Sequence, residues 1–175
     1  NILQYVLNEN VSFISITNQE TSAIKKYFPN KTVRNIPNPV PFKSREDLNI
    51  KKEKKFVFFG RIHPHKNIDI MIDAFIKSNL SDDWSLEIYG IRDDENYYQK
   101  LKNKIKNKVK INIFEPIFEK EKQLKMSSAW LNILLSKSEV LSLSILESSQ
   151  HGLPTLVNKS IEIIDNNNAT IQTSL

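Results

Sequence analysis

The sequence predicts an α/β fold: an open parallel sheet with helices on both faces. Two observations carry that expectation. From Phe56 onward, short apolar runs alternate with segments whose apolar residues recur at helical spacing. The first of these runs, Phe56 to Phe59, is continuously apolar and ends in Gly60, as suits a parallel strand buried on both sides.

Each later element follows from its own spacing. Ile68, Met71, Ile72 and Phe75 share one face of a helix predicted from Asn67 to about Asn79. Leu86 to Gly90 reads as the next strand. Tyr97, Leu101 and Ile105 lie four apart and mark a second helix, and the alternating Val109, Ile111 and Ile113 mark a third strand. Glu119 to Ser128 is a weaker helix, followed by an apolar strand from Trp130 to Leu135. Leu141 to His151 forms a helix stopped by Gly152 and Pro154, and Thr155 to Val157 is a last short strand. Strands and helices in strict alternation imply a Rossmann-like domain, assigned to residues 56–175 and truncated at its C-terminus. Trp84 and Trp130, beside strands, are expected in the core.

The leading residues repeat this grammar in miniature. Asn1 to Asn8 reads as the end of a helix, Val11 to Ile16 as a strand, Gln19 to Phe28 as a helix and Thr32 to Ile36 as a strand. So small a set cannot bury both faces, so residues 1–40 are expected to be the tail of a second domain. Prolines 37, 39 and 41 and a polar stretch to Lys55 make residues 41–55 a stiff linker.

Composition narrows the function classes. The chain has 175 residues, of which 39% are hydrophobic and 26% charged, ordinary values for a globular protein. No apolar run approaches the roughly 20 residues of a membrane span. The start lacks an initiator Met and a signal peptide, and reads as a chain entered midway. Without cysteine there are no disulfides or thiolate metal sites, which fits a reducing compartment. The net charge is +5, with lysines alternating from Lys100 to Lys110. No aromatic residue is interleaved from Leu101 to Lys110, so the run reads as a solvated helix end and strand edge, and nucleic acid is not expected as a partner.

In open α/β sheets, ligands sit beyond the carboxyl ends of the strands. Two loops there are chemically loaded. In the first, Gly60 to Asn67, Gly60 permits a sharp turn, and Arg61 and Lys66 set two cations beside a helix N-terminus that already favours anions. A diphosphate suits such a place; a plain basic surface loop is the competing reading. In the second, Glu139 precedes a helix and Glu147 lies within it. Along one helix the two would diverge by about 80°, but with Glu139 in the approach loop both carboxylates can reach one cleft and accept hydrogen bonds from sugar diols. The competing readings are a capping box between Ser144 and Glu147, and an exposed loop acid at Glu139. His63 and His65 form a His-x-His pair with no third ligand nearby in sequence and read as loop packing; His151 reads as a helix C-terminal residue.

Strand-Gly-Arg-x-x-Pro-x-Lys-Asn, then about seventy residues of β-α units, then Glu-x7-Glu and Gly-x-Pro, resembles the retaining GT-B glycosyltransferases of family 4, or group 1 glycosyltransferases. The likeness covers Phe56 to Leu156 and reaches upstream to Val33–Val40, which looks like the end of that family's acceptor domain. The resemblance implies the C-terminal, donor-binding half of a GT-B fold with a remnant of the N-terminal domain. It implies that Arg61 and Lys66 bind the diphosphate of a UDP- or GDP-hexose, that Glu139 contacts the hexose and that Glu147 contacts the ribose. Gly60, Gly90 and the backbone of Val140, Leu141, Ser142 and Leu143 complete the donor site, with Glu139, Arg61 and Lys66 as the catalytic set. One departure stands out: Val140-Leu141-Ser142 replaces the usual Gly-Phe-Gly, so the loop must follow another path or use the Ser142 hydroxyl. The second glycine usual near Gly90 is replaced around Arg92.

The expected activity is retaining hexosyl transfer to a glycan or lipid-linked acceptor, which the missing N-terminal domain binds. The fragment alone is expected to be inactive. Neither metal nor cofactor is implied. Polysaccharide assembly in the cytoplasm is the implied setting, with peripheral association at the inner membrane face left open. The competing functions are a GT-B-fold nucleotide-sugar epimerase, a non-catalytic nucleotide-binding module and a plain structural domain.

Overall fold

A computed structural model of the chain describes residues 11–37, 39, 50–139, 142–159, 161 and 170–173. The chain divides into two compact units, Asn1–Pro41 and Phe42–Leu175. In the smaller, β1 (Phe13–Ser15) and β2 (Val33–Asn35) pair in parallel around α1 (Asn18–Tyr27). Thr17 caps α1 by accepting the Glu20 N–H, and Glu20 in return accepts the Ile16 N–H at 2.7 Å. The helix buries no residue, and Ile14, Tyr27 and Ile36 are exposed. The helix predicted over Asn1–Asn8 lies outside the described residues, as does most of the expected 41–55 linker.

The larger unit is a six-stranded, all-parallel sheet. Its strands are β3 (Lys55–Phe59), β4 (Ser85–Tyr89), β5 (Ile111–Phe114), β6 (Leu131–Leu134), β7 (Thr155–Asn158) and β8 (Thr170–Thr173). Their spatial order is β5-β4-β3-β6-β7-β8. Helices α2 (Ile68–Lys77), α3 (Glu95–Ile105), α4 (Glu119–Ser128) and α5 (Leu143–Gln150) connect the first five in turn. Strand β3 alternates as its central place requires: Phe58 joins one apolar cluster with Met71 and Ile72 of α2 and Leu101 of α3, while Val57 and Phe59 join a second with Met126 of α4. Both faces of the strand are thus buried, and the fold is the α/β, Rossmann-like one that the alternation predicts.

The chain runs outward from β3 through β4 to β5, then crosses back to lay β6 on the other side of β3. Between β3 and β6 lies the topological switch point, where two successive loops part and leave a crevice.

Four expectations needed correction. Val109 is 87% exposed and precedes β5, because Lys108 and Ile111 N–H groups are engaged in a turn that opens the strand only at Ile111. Trp130 is half exposed: its backbone N–H pairs with the Lys55 carbonyl, and its ring rests on Trp84 outside the core. Strand β8 carries no apolar run that would have marked it. The lysine run is solvated in part only, since Lys100, Lys104 and Lys110 pair with Asp69, Asp73 and Asp82. The stop of α5 follows its glycine: Gly152 has φ 62°, and its N–H and that of Leu153 bond back to the carbonyls of Ser149 and Ser148.

Candidate functional site

At the switch point, a cleft of about 400 Å³ opens between the loops that follow β3, β4 and β6, with α4 and the start of α5 as its far wall. The loop after β3 begins at Gly60. Its φ is not in the left-handed region, so the sharp turn expected of it is not why glycine stands there. A Cβ at Gly60 would sit 3.0 Å from the fully buried Phe58 ring, and a Cβ at Gly90 only 1.9 Å from the Gly60 carbonyl oxygen. Gly90 thus lets the loops after β3 and β4 touch backbone to backbone. The Ile62 N–H then donates to the Ile91 carbonyl, and the Asp93 N–H to the Ile62 carbonyl. That zipper delivers Asp93 to Arg61, 2.7 Å apart.

Loops after β3 and β6 are held together side by side. The Lys137 N–H donates to the His65 carbonyl at 2.9 Å. His65 Nε2 lies 3.0 Å from the Ser138 carbonyl oxygen and 3.2 Å from the Ser138 hydroxyl. Asn67, buried and left-handed at φ 52°, donates its side-chain amide to the Leu135 carbonyl at 2.8 Å. His63 accepts the His65 N–H through Nδ1, so both histidines serve loop packing. Among the described residues, no three His, Asp or Glu side chains gather as a metal site requires.

On this frame stand the acids and cations. Lys66 pairs with Glu139, both largely buried; Glu139 is not an exposed loop acid. Glu147 makes no capping box: α5 starts after Ser142, which places Glu147 beyond the first turn, and the Ser144 hydroxyl instead accepts from Asn132. The Glu147 carboxylate meets Lys122 of α4 at 2.5 Å. Gly60, Arg61, Lys66, Gly90, Glu139, Ser142, Leu143 and Glu147 all line this one cleft. Val140 and Leu141 lie outside the described residues.

With the cleft described, the comparison with known families decides its lineage. The model of the family described as glycosyl transferases group 1 matches residues 41–167. The chain belongs to that family. No curated protein matches it. Among solved structures, this group 1 chain is similar to TarM, at 19% identity and a TM-score of 0.77, over 99% of the chain and 35% of TarM. It is similar to the pneumococcal O-GlcNAc transferase GtfA, solved with UDP and GlcNAc, at 18% identity and a TM-score of 0.70 over 93% of the chain and 34% of GtfA. It is also similar to Anabaena HepE, solved with UDP, at 17% identity and a TM-score of 0.72 over 93% of the chain and 50% of HepE. At these identities the likeness is one of fold, that of the GT-B glycosyltransferases. The chain spans a third to a half of the length of those proteins.

Sequence reasoning missed Lys122, Asp93 and the Pro116–Phe118 wall of the cleft. The last follows β5 at its carboxyl end, so the rule that drew attention to the loops after β3 and β6 pointed there too. Lys122 had no such signal. It is one of three lysines in a weakly patterned helix, and nothing local sets it apart from Lys120 or Lys125.

Proposed function

We propose that this chain is the donor-binding part of a retaining hexosyltransferase whose donor is a UDP- or GDP-linked hexose. The observation that carries the reading is the meeting of Arg61, Lys66, Glu139 and Glu147 in one cleft at the switch point, although 86 residues separate the first from the last. GtfA and HepE, of similar fold, were solved with UDP bound, which supports a nucleotide there.

In this reading Arg61 and Lys66 bind the donor diphosphate, and the N-terminal amides of α5, beginning at Ser142 and Leu143, approach it through backbone N–H groups. An arriving diphosphate competes with Glu139 for Lys66 and frees the carboxylate to accept a hexose hydroxyl. Glu147 accepts from the ribose. When the bond between the anomeric carbon and the diphosphate breaks, the leaving oxygen gains negative charge, which Arg61 and Lys66 stabilise. An acceptor hydroxyl then bonds the anomeric carbon from the face the diphosphate left and gives its proton to the departing phosphate oxygen. The positive charge comes from side chains, so the step as written calls on no metal. Residues 1–40 belong, on this reading, to the domain that holds a glycan or lipid-linked acceptor, 41–55 link the two, and 56–175 bind the donor. Polysaccharide synthesis on the cytoplasmic side, with or without peripheral contact with the membrane, is the setting proposed. Among the described residues no helix is long and apolar enough to cross a membrane.

Calorimetric titration with UDP, GDP, UDP-glucose and GDP-mannose tests the reading. Binding of at least one is expected, and Arg61→Ala or Lys66→Ala should weaken it by about 1–3 kcal/mol, the worth of a charged hydrogen bond. No heat from any of the four, or unchanged affinity in both variants, removes the assignment.

A further inference from the structure

The cleft holds a third cation, Lys122, brought by α4 rather than by either loaded loop. Its ammonium donates to Glu147 Oε2 at 2.5 Å and stands 5.7 Å above the ring centre of Phe59. That ring is 6% exposed, at the end of β3, so the ammonium is held between a fixed aromatic face and a carboxylate. The Lys122 and Glu147 side chains are only 24% and 33% exposed, which sets the pair apart from a solvated surface contact. Among the described residues, Glu147 Oε1 takes no hydrogen bond.

We propose that Lys122 is a positioning residue for nucleoside recognition: it holds one oxygen of Glu147 so that the other stays free for a ribose hydroxyl. This rests on the donor-site reading above. Oε1 then accepts the hydroxyl proton of the ribose. Lys122 has a second effect on the same ligand. Two carboxylates beside a diphosphate repel it, and a lysine paired with Glu147 cancels one of those charges. Loss of the lysine therefore weakens binding generally, but only the positioning role makes it erase the preference for ribose.

The test measures affinities of UDP and GDP and of their 2′,3′-dideoxy forms for the chain and its variants. The unaltered chain should favour the ribose form on the order of tenfold or more, as expected for hydrogen bonds to a charged group. Lys122→Met, which keeps the apolar stem over Phe59, should bring that ratio close to one, as should Glu147→Gln. Lys122→Arg should restore much of it. Lys122→Gln, measured alongside, covers the case in which the methionine variant folds poorly, and is expected to lose the ratio too. A ribose ratio unchanged in both Lys122→Met and Lys122→Gln would overturn the positioning role while the donor site stands. An unaltered chain that binds nucleotides without preferring ribose would overturn it as well. If the unaltered chain binds no nucleotide at all, the donor-site reading fails first and takes this inference with it.

Discussion

At Gly90 a hydrogen occupies the space where any other side chain would begin. A Cβ there would stand 1.9 Å from the Gly60 carbonyl oxygen and 3.2 Å from a methylene carbon of Ile62, itself fully buried. Neither neighbour can yield: one is backbone at the end of β3, the other part of the core. Gly90→Ala should therefore push the loop after β3 out of register and cost roughly 1–3 kcal/mol, as overpacking does. Urea unfolding would read it as a lowered midpoint. Because Gly60 leads directly into Arg61, the same variant should, on the proposed donor-site reading, also weaken nucleotide binding. A midpoint and affinity equal to those of the unaltered chain would refute the close-packing account.

Among the elements, α2 begins in an unusual way. Asn67, the residue before it, makes no side-chain cap bond; it sits in the left-handed region and spends its amide on the Leu135 carbonyl in the neighbouring loop. The start of the helix is traded for a tie between the loops after β3 and β6, and that tie keeps Lys66 beside Glu139. Asn67→Ala leaves a buried carbonyl unpaired and forces a Cβ into left-handed backbone, a combined loss of about 2–4 kcal/mol. Asn67→Gly relieves the backbone but not the lost bond, so it should cost less; equal midpoints for the two in urea would refute the left-handed contribution. Helix α4 is unusual in another way, for it buries little beyond Met126 and Ser128. Instead, Lys122 and Lys125, one turn apart on the same face, lie over the stacked rings of Phe59 and Tyr89 and pair with Glu147 and Glu87. A helix held by cations over aromatic rings has no apolar stripe, which is why its periodicity reads as weak.

Over the whole of the larger unit, acids that hold elements together set the response to pH. Burial alone would raise the Glu87 carboxyl, but the Tyr89 hydroxyl, Lys55 and Lys125 outweigh it and hold it below its ordinary 4.5. Burial likewise opposes, and bonds from Tyr97 and Lys100 overcome, at Asp69, held below 3.8. Both groups bind protons more readily unfolded than folded, so their stabilisation is full above those ordinary values and is lost as pH falls through the lower folded ones. The urea midpoint should drop as the pH is lowered below about 4.5, and Asp69→Asn should shallow that drop; a midpoint flat from pH 5 to 3 would refute the assignment. Periodicity and punctuation by themselves determined the alternation of elements, the stop at Gly152 and the two loaded loops, because each depends on residues a few places apart. Likewise, Lys66 and Glu139 stood out by type and by place after a strand. Only the tertiary structure decided that β6 lies beside β3, that Lys122 reaches Glu147 and Asp93 reaches Arg61, that Trp130 and Val109 face outward, and that Gly90 is small for the sake of the Gly60 carbonyl. Those facts are distances between segments far apart along the chain, and short-range spacing carries no information about which segments the crossover back to β3 will bring together.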